Sequence, residues 1–245
     1  MRRSHEQLAS MLAAAALVHN MVPHNKAVNF KSFPFKMALS QVGVCLMAFA
    51  LLLHFFGVYI PYFYAPLYTQ VLGASSRTAF YISSALNAAT FFGRLIMGIV
   101  ADKIGPSNTL VVSVIVSAVL SFAWQGVGSV PGMFVWAVVY GWFSGASISL
   151  QSPAMIPLVP GGDLRLIGPY IAILCQLSSF GSLGGNPIAG ALLRMRVQSS
   201  NGEDGLYQQE DFHPMMWFGG SVLFAAVIFY QLARYTHTPN LLTKR

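Results

Sequence analysis

Arg94 is the residue of this chain with the most chemistry to offer. It stands inside an apolar stretch, and Ser83, Asn87 and Thr90 precede it at helical spacing, so the four share one helical face. An arginine in the middle of a membrane helix costs roughly 2.5–3.5 kcal/mol, and its guanidinium cannot shed its charge as an amine can. It needs a partner or a water-filled cavity, and no carboxylate lies inside any apolar stretch. Two roles stay open on the residues alone. Arg94 either faces a polar cavity, or it snorkels to the membrane edge and joins a network near Asp102. A second polar row, Tyr140, Ser144, Ser147 and Gln151, repeats the spacing, and Gln176, Ser179 and Asn186 form a third. Such rows on facing helices either line a wet cavity or hydrogen-bond the helices to one another. His54, alone among apolar neighbours, is a candidate proton carrier. A neutral, hydrogen-bonded core histidine is the plainer alternative.

Other chemistry finds no foothold. There is no Gly-rich phosphate loop, no nucleophile elbow and no His or Cys pair at ligand spacing, so neither an enzyme, a metal nor a cofactor is implied. Cys45 and Cys175 both lie in apolar runs and read as small buried hydrophobes. The net charge of +7 invites a nucleic-acid partner, but the basic residues sit at span ends and in tails, where membrane topology places them. No nucleic acid is expected.

The elements that must carry these residues follow from the charge distribution. Asp, Glu, Lys and Arg make 9% of the 245 residues, against about 25% in a soluble domain. They are absent from Met37–Ser76, Ile104–Gly162, Leu166–Leu193 and Phe212–Ala233. Such runs read as membrane spans, and the chain as an all-α, polytopic membrane protein. Six spans fit, at about 39–65, 77–99, 107–127, 132–156, 166–190 and 214–233. Gly126, Gly128, Pro131 and Gly132 divide the longest run in two.

Arg2, Arg3, Lys26, Lys31, Lys36, Lys103, Arg165, Arg234, Lys244 and Arg245 fall on one side, and only Arg77, Arg194 and Arg196 on the other. The excess of basic residues puts both termini in the cytosol, in the plasma membrane or an internal one. Residues 1–36 are then a cytosolic tail, 37–235 the six-span body and 236–245 a second tail. Residues 8–18 are too short to span. A signal-peptide core is one reading, though no cleavage site follows, and an interfacial helix or a disordered tail is the other. Residues 197–213, with four of the seven acids, read as a solvated, flexible outside loop.

The spans are not plain apolar cylinders. Pro61 and Pro66 break the first. Gly141-x-x-x-Gly145 marks the fourth and Gly181-x-x-x-Gly185, followed by Asn186-Pro187, the fifth. This spacing lets helix backbones approach closely, as static packing or as surfaces that move. The sixth span, with almost no polar residue beyond Ser221, reads as lipid-facing scaffold.

Gly93-Arg94-Leu95-Ile96-Met97-Gly98 through Ala101-Asp102-Lys103-Ile104-Gly105 joins the second and third spans. It resembles the signature loop of the major facilitator superfamily, with Pro106 and Ser107 in place of the usual following basic residues. In that loop Gly98 would permit close helix contact, Asp102 would cap the next helix, and Lys103 would mark the cytosolic side. Phe56–Tyr64, Tyr140–Leu150 and Gly181–Gly190 look like the monocarboxylate-porter family, in its fungal-type members. The likeness runs over about residues 28–235, in the order of the second six helices of such a transporter.

The resemblance implies one six-helix half of a major-facilitator fold, moving a small organic solute such as a monocarboxylate by alternating access. It implies a solute site with Arg94, Asn87, Thr90, Tyr62, Ser144 and Gln151, and a gating loop of Gly98, Asp102, Lys103 and Gly105. Arg94 matches an arginine that meets the substrate carboxylate. Animal-type members carry an aspartate where Thr90 stands, so their proton-coupling pair is not carried over. Besides membrane lipid, the expected partner is an N-terminal half or a second copy of this chain. Three readings stay open: a piece of a full transporter, a genuine half-transporter, and a non-transporting protein that keeps the half-fold.

Overall fold

A computed structural model describes residues 41–159, 164–200 and 207–236. The readings of residues 1–36, with the segment 8–18, and of 237–245 lie outside the described residues. Seven α-helices and three short 3-10 turns make up the described chain: α1 (Val42–Val58), α2 (Ile60–Val71), α3 (Ser76–Ile104), α4 (Pro106–Ala123), α5 (Val130–Met155), α6 (Leu164–Ser200) and α7 (His213–Tyr235). With α1 and α2 taken as one span, six segments are long and apolar enough to cross a membrane, as the charge-free runs require. The described residues are those of an all-α membrane protein and supply six spans.

Each boundary has a local cause. Pro61 brings no N–H, and the chain changes direction at Tyr59, between α1 and α2. Ser75 caps α3 by accepting the Thr78 N–H, and Ser129 caps α5 by accepting that of Gly132. Gly105, at φ 95°, ends α3 and turns the chain into α4, a conformation that a Cβ disfavours. Asp102 does not cap α4. It is exposed in the last turn of α3, and Gly105 holds the cap position with no side chain to offer.

Packing follows a two-fold plan. The main contacts are α3 on α5, α1 on α7, α1 on α6, α4 on α5 and α4 on α7. Exchanging the first three spans with the last three maps this set onto itself, the pattern of a repeat of three spans and three spans. The two seams related by that exchange both run on glycine. Gly141 and Gly145 of α5 lie against the backbone of Leu86 and Thr90 on α3, and Gly181 and Gly185 of α6 against that of Leu52 and Phe56 on α1. A Cβ at Gly185 would stand 2.2 Å from the Phe56 carbonyl oxygen, and one at Gly93 2.1 Å from that of Trp142. These glycines are close-packing residues. Gly98 is not: nothing lies within 4 Å of the place its Cβ would take.

The sixth span, α7, is not lipid-facing alone: one side packs on α1 and α4, with Gly219, Gly220 and Tyr230 buried, while Trp217, Phe224, Ile228 and Leu232 are exposed. The spans most open to their surroundings are the second and fifth, where 28% of the apolar window is buried against 44% in the sixth. Of the 197–213 segment, the described ends are helix and turn. α6 continues to Ser200, and Gln209–Phe212 forms a turn in which Asp211 accepts the Gln208 N–H at 2.8 Å. Phe212 there is fully buried against Tyr68, and Tyr68 against Trp124. Cys45 and Cys175 are exposed on the bundle surface, not buried.

Candidate functional site

Where α1 and α2 pass α5, the contact is made by side chains. The Tyr140 hydroxyl donates to the Val58 carbonyl oxygen at 2.9 Å, one residue before Tyr59, where α1 gives way to α2. The Pro61 break is thus tied to α5. A proline break within a membrane survives where neighbouring helices re-satisfy the backbone in this way.

The next two contacts have a defined proton order. Ser144 sends its hydrogen to the Tyr140 carbonyl oxygen at 2.7 Å, so the Tyr62 hydroxyl is the donor in the 2.8 Å bond between Tyr62 and Ser144. Ser147 sends its hydrogen to the Ser144 carbonyl oxygen at 2.8 Å, so His54 donates from Nε2–H to Ser147 Oγ at 3.3 Å. His54 Nδ1 is then an acceptor, buried and without a partner, as is the amide nitrogen of Gln151 one turn further along α5. Tyr140, Ser144, Ser147 and His54 are completely buried, and Tyr62 is half-buried. The second polar row therefore faces the first span.

The row on α3 divides. Thr90 is buried in the α3–α5 seam and satisfies its hydroxyl on the Asn87 carbonyl oxygen. Asn87 is exposed and donates to the Ser83 carbonyl oxygen. Arg94 is exposed, within electrostatic reach of the Tyr62 hydroxyl. It opens on a cavity of about 550 Å³ whose wall includes Gly98, Asp102, Lys103, Gly105 and Ser149. Arg94 and Asp102 share this cavity, yet no ion pair joins them. An arginine tied to the signature-loop acid would have shown one. Of the third row, Gln176 and Ser179 are exposed on α6, and Asn186 accepts the Tyr64 hydroxyl on its backbone oxygen at 3.1 Å.

Sequence spacing grouped the α5 row correctly but missed its partner. Val58 enters through a backbone carbonyl, and no side-chain pattern announces that. Tyr59 was also passed over. Its ring meets Tyr62 at 5.8 Å and Phe55 at 5.6 Å, making an aromatic strip beside the polar row.

The described spans thus bring Arg94, without an ion pair to Asp102, onto a cavity with polar walls. No protein-family model matches the chain. It is 40% identical, over 171 residues, to an aspyridones efflux protein of Emericella nidulans, an alignment that covers 69% of this chain and 33% of that protein. It is 28% identical to an MFS-type transporter of Aspergillus niger over 95% of this chain and 50% of the relative. A third relative, an agnestins efflux protein of Paecilomyces divaricatus, is 35% identical over 60% of this chain and 33% of its own length. The chain spans half or less of these curated relatives' length. Their names support the major facilitator superfamily as its family, and a family of transporters agrees with the reading of the chain as no enzyme.

Proposed function

We propose that this chain supplies one wall of the solute path in a secondary transporter of the major-facilitator type, and that the solute is a small organic anion, in the manner of the monocarboxylate porters. The observation that carries the reading is Arg94, exposed at membrane depth with no ion pair to Asp102 and within electrostatic reach of Tyr62. A carboxylate or an acidic enol would neutralise it with charge-assisted bonds. Tyr62 holds its ring in place through Ser144 and keeps its oxygen lone pairs for the solute, while Asn87 and Gln151 flank the path. Gly98, Asp102, Lys103 and Gly105 form the loop that borders its mouth. The Nδ1 of His54, buried without a partner, is the acceptor that a coupled proton would use.

The other wall is a second six-span half, since the relatives are about twice as long as this chain or longer. Two relatives are named for efflux of aspyridones and agnestins, which supports export as the direction. The test is transport of radiolabelled organic acids by this chain co-expressed with the N-terminal half of a relative. Arg94→Lys and Asp102→Asn are compared at matched surface levels. A solute contact made in a bidentate geometry is lost with lysine, so Arg94→Lys abolishes transport of anions, while Asp102→Asn leaves binding of the anion intact. Normal transport by the lysine variant sinks the assignment.

A further inference from the structure

We propose that the strip of Phe55, Tyr59 and Tyr62 holds a ring of the solute, so that the transported anion is a flat aromatic acid. The inference rests on the assignment of Arg94 to the solute's charge and specifies what the uncharged part of the solute must be.

The first span carries four tyrosines, Tyr59, Tyr62, Tyr64 and Tyr68. Three of their hydroxyls are committed within the fold. Tyr62 donates to Ser144, Tyr64 to the Asn186 backbone oxygen and Tyr68 to the Val127 carbonyl oxygen. Tyr59 differs. It is half-buried at the junction of α1 and α2, and its hydroxyl has no hydrogen-bond partner among the described residues and is not enclosed. At membrane depth an open hydroxyl calls for water or a solute oxygen.

The strip and the charge belong to one region. Phe55 begins the strip at the α6 seam, where a Cβ on Gly181 would stand 3.0 Å from Phe55 Cβ. Tyr62 ends it at Ser144 on α5. Because α1 packs on α6 and α2 on α3, the strip lies between the fifth span and the second, the two least buried. The Tyr62 hydroxyl is within electrostatic reach of both Arg94 and Tyr59.

The ring planes separate this strip from ordinary aromatic packing. In the buried cluster nearby, Trp124 stacks on Trp136 at 26° and Trp136 on Tyr140 at 14°, so those rings cover one another's faces. Phe55 meets Tyr59 at 53° and Tyr59 meets Tyr62 at 67°. Neither contact is face to face, and all three rings are half-buried. Ring faces are left for a further aromatic group, which such a surface takes in offset-stacked or edge-on geometry. Arg94 then meets the carboxylate, and the Tyr59 hydroxyl donates to a solute oxygen.

The test uses the full chain with the N-terminal half of a relative in proteoliposomes. The probes are radiolabelled benzoate and cyclohexanecarboxylate, with the flux of protein-free vesicles subtracted. The two acids share charge and approximate size, and only benzoate is flat. The KM for benzoate should be about three- to tenfold the lower. Tyr59→Leu and Phe55→Leu, compared at matched protein levels, should bring the ratio towards one. Tyr59→Phe keeps the ring and loses the donor, so it should raise both KM values and preserve the ratio. Equal KM values for the unaltered chain, with flux still lost in Arg94→Lys, leave the anion reading standing and overturn this one. A preference for benzoate that survives both leucine variants overturns it as well. Flux of both acids no faster than in protein-free vesicles overturns the anion reading together with this inference.

Discussion

At the scale of residues, the two tyrosines that face each other between the first and fourth spans carry unequal loads. Tyr140 is completely buried, and its hydroxyl satisfies the Val58 carbonyl beside the proline break. Tyr62 is half-buried, and Ser144, which receives its hydrogen, keeps its own bond to the Tyr140 carbonyl without it. Tyr140→Phe leaves a buried acceptor without a donor and should cost about 1–3 kcal/mol, whereas Tyr62→Phe should cost about 0.5–1.5 kcal/mol. Thermal unfolding of the two variants in one detergent gives the order. A larger loss for Tyr62→Phe would mean that the Val58 carbonyl finds another donor. The helical period showed that Tyr140, Ser144 and Ser147 share a face, because 3.6 residues per turn is a local property. Which way each hydrogen points is set across helices, and neither the His54 tautomer nor the role of Val58 could be read from spacing.

At the scale of elements, the glycines separate into those that position helices and those that do not. Gly93 and Gly185 each meet a facing backbone, and a backbone cannot swing aside as a flexible side chain can. Gly93→Ala and Gly185→Ala must therefore push α3 from α5 and α6 from α1, at a cost of about 1–3 kcal/mol or more. Gly98→Ala should keep stability or raise it by about 0.5–1 kcal/mol, because its methyl enters open space and alanine favours the helix over glycine. The measurement is loss of folded protein on heating, with the three variants side by side. A Gly98→Ala variant as unstable as Gly185→Ala would contradict the packing described. If Gly98→Ala keeps its stability and still impairs transport, the glycine is needed against a surface outside the described residues. The Gly-x-x-x-Gly spacing made the two seams legible in the sequence. The isolated glycines were not, since a glycine in a helix looks the same whether a neighbour crowds it or not. Span six shows the same ambiguity: its shortage of polar residues matches lipid and a packed bundle core alike, and α7 has a face toward each. Burial is a property of neighbours.

At the scale of the whole molecule, orientation and the proposed second wall can be tested in one set of variants. Lys103 and Gln208 are both exposed and lie at opposite ends of the bundle, one in the last turn of α3 and the other before α7. Cys45 and Cys175 are exposed too, so both are first replaced by alanine. The excess of basic residues on the Lys103 side predicts a cytosolic face there. A membrane-impermeant maleimide should therefore label Gln208→Cys in intact cells and Lys103→Cys only after permeabilisation. The reverse pattern would invert every statement about which side the Arg94 cavity faces. The same cells test the partner. The second and fifth spans bury only 28% of their apolar windows, and they carry the exposed polar groups of Asn87, Arg94, Gln176 and Ser179. Polar groups left against hydrocarbon are costly, so a second six-span half should cover these two helices. Cysteines placed at Asn87 and Ser179 should form oxidant-induced disulfides with cysteines placed along the spans of a co-expressed N-terminal half, and transport should appear only when that half is supplied. Saturable transport by the chain alone would show that one half suffices and that no second wall is needed.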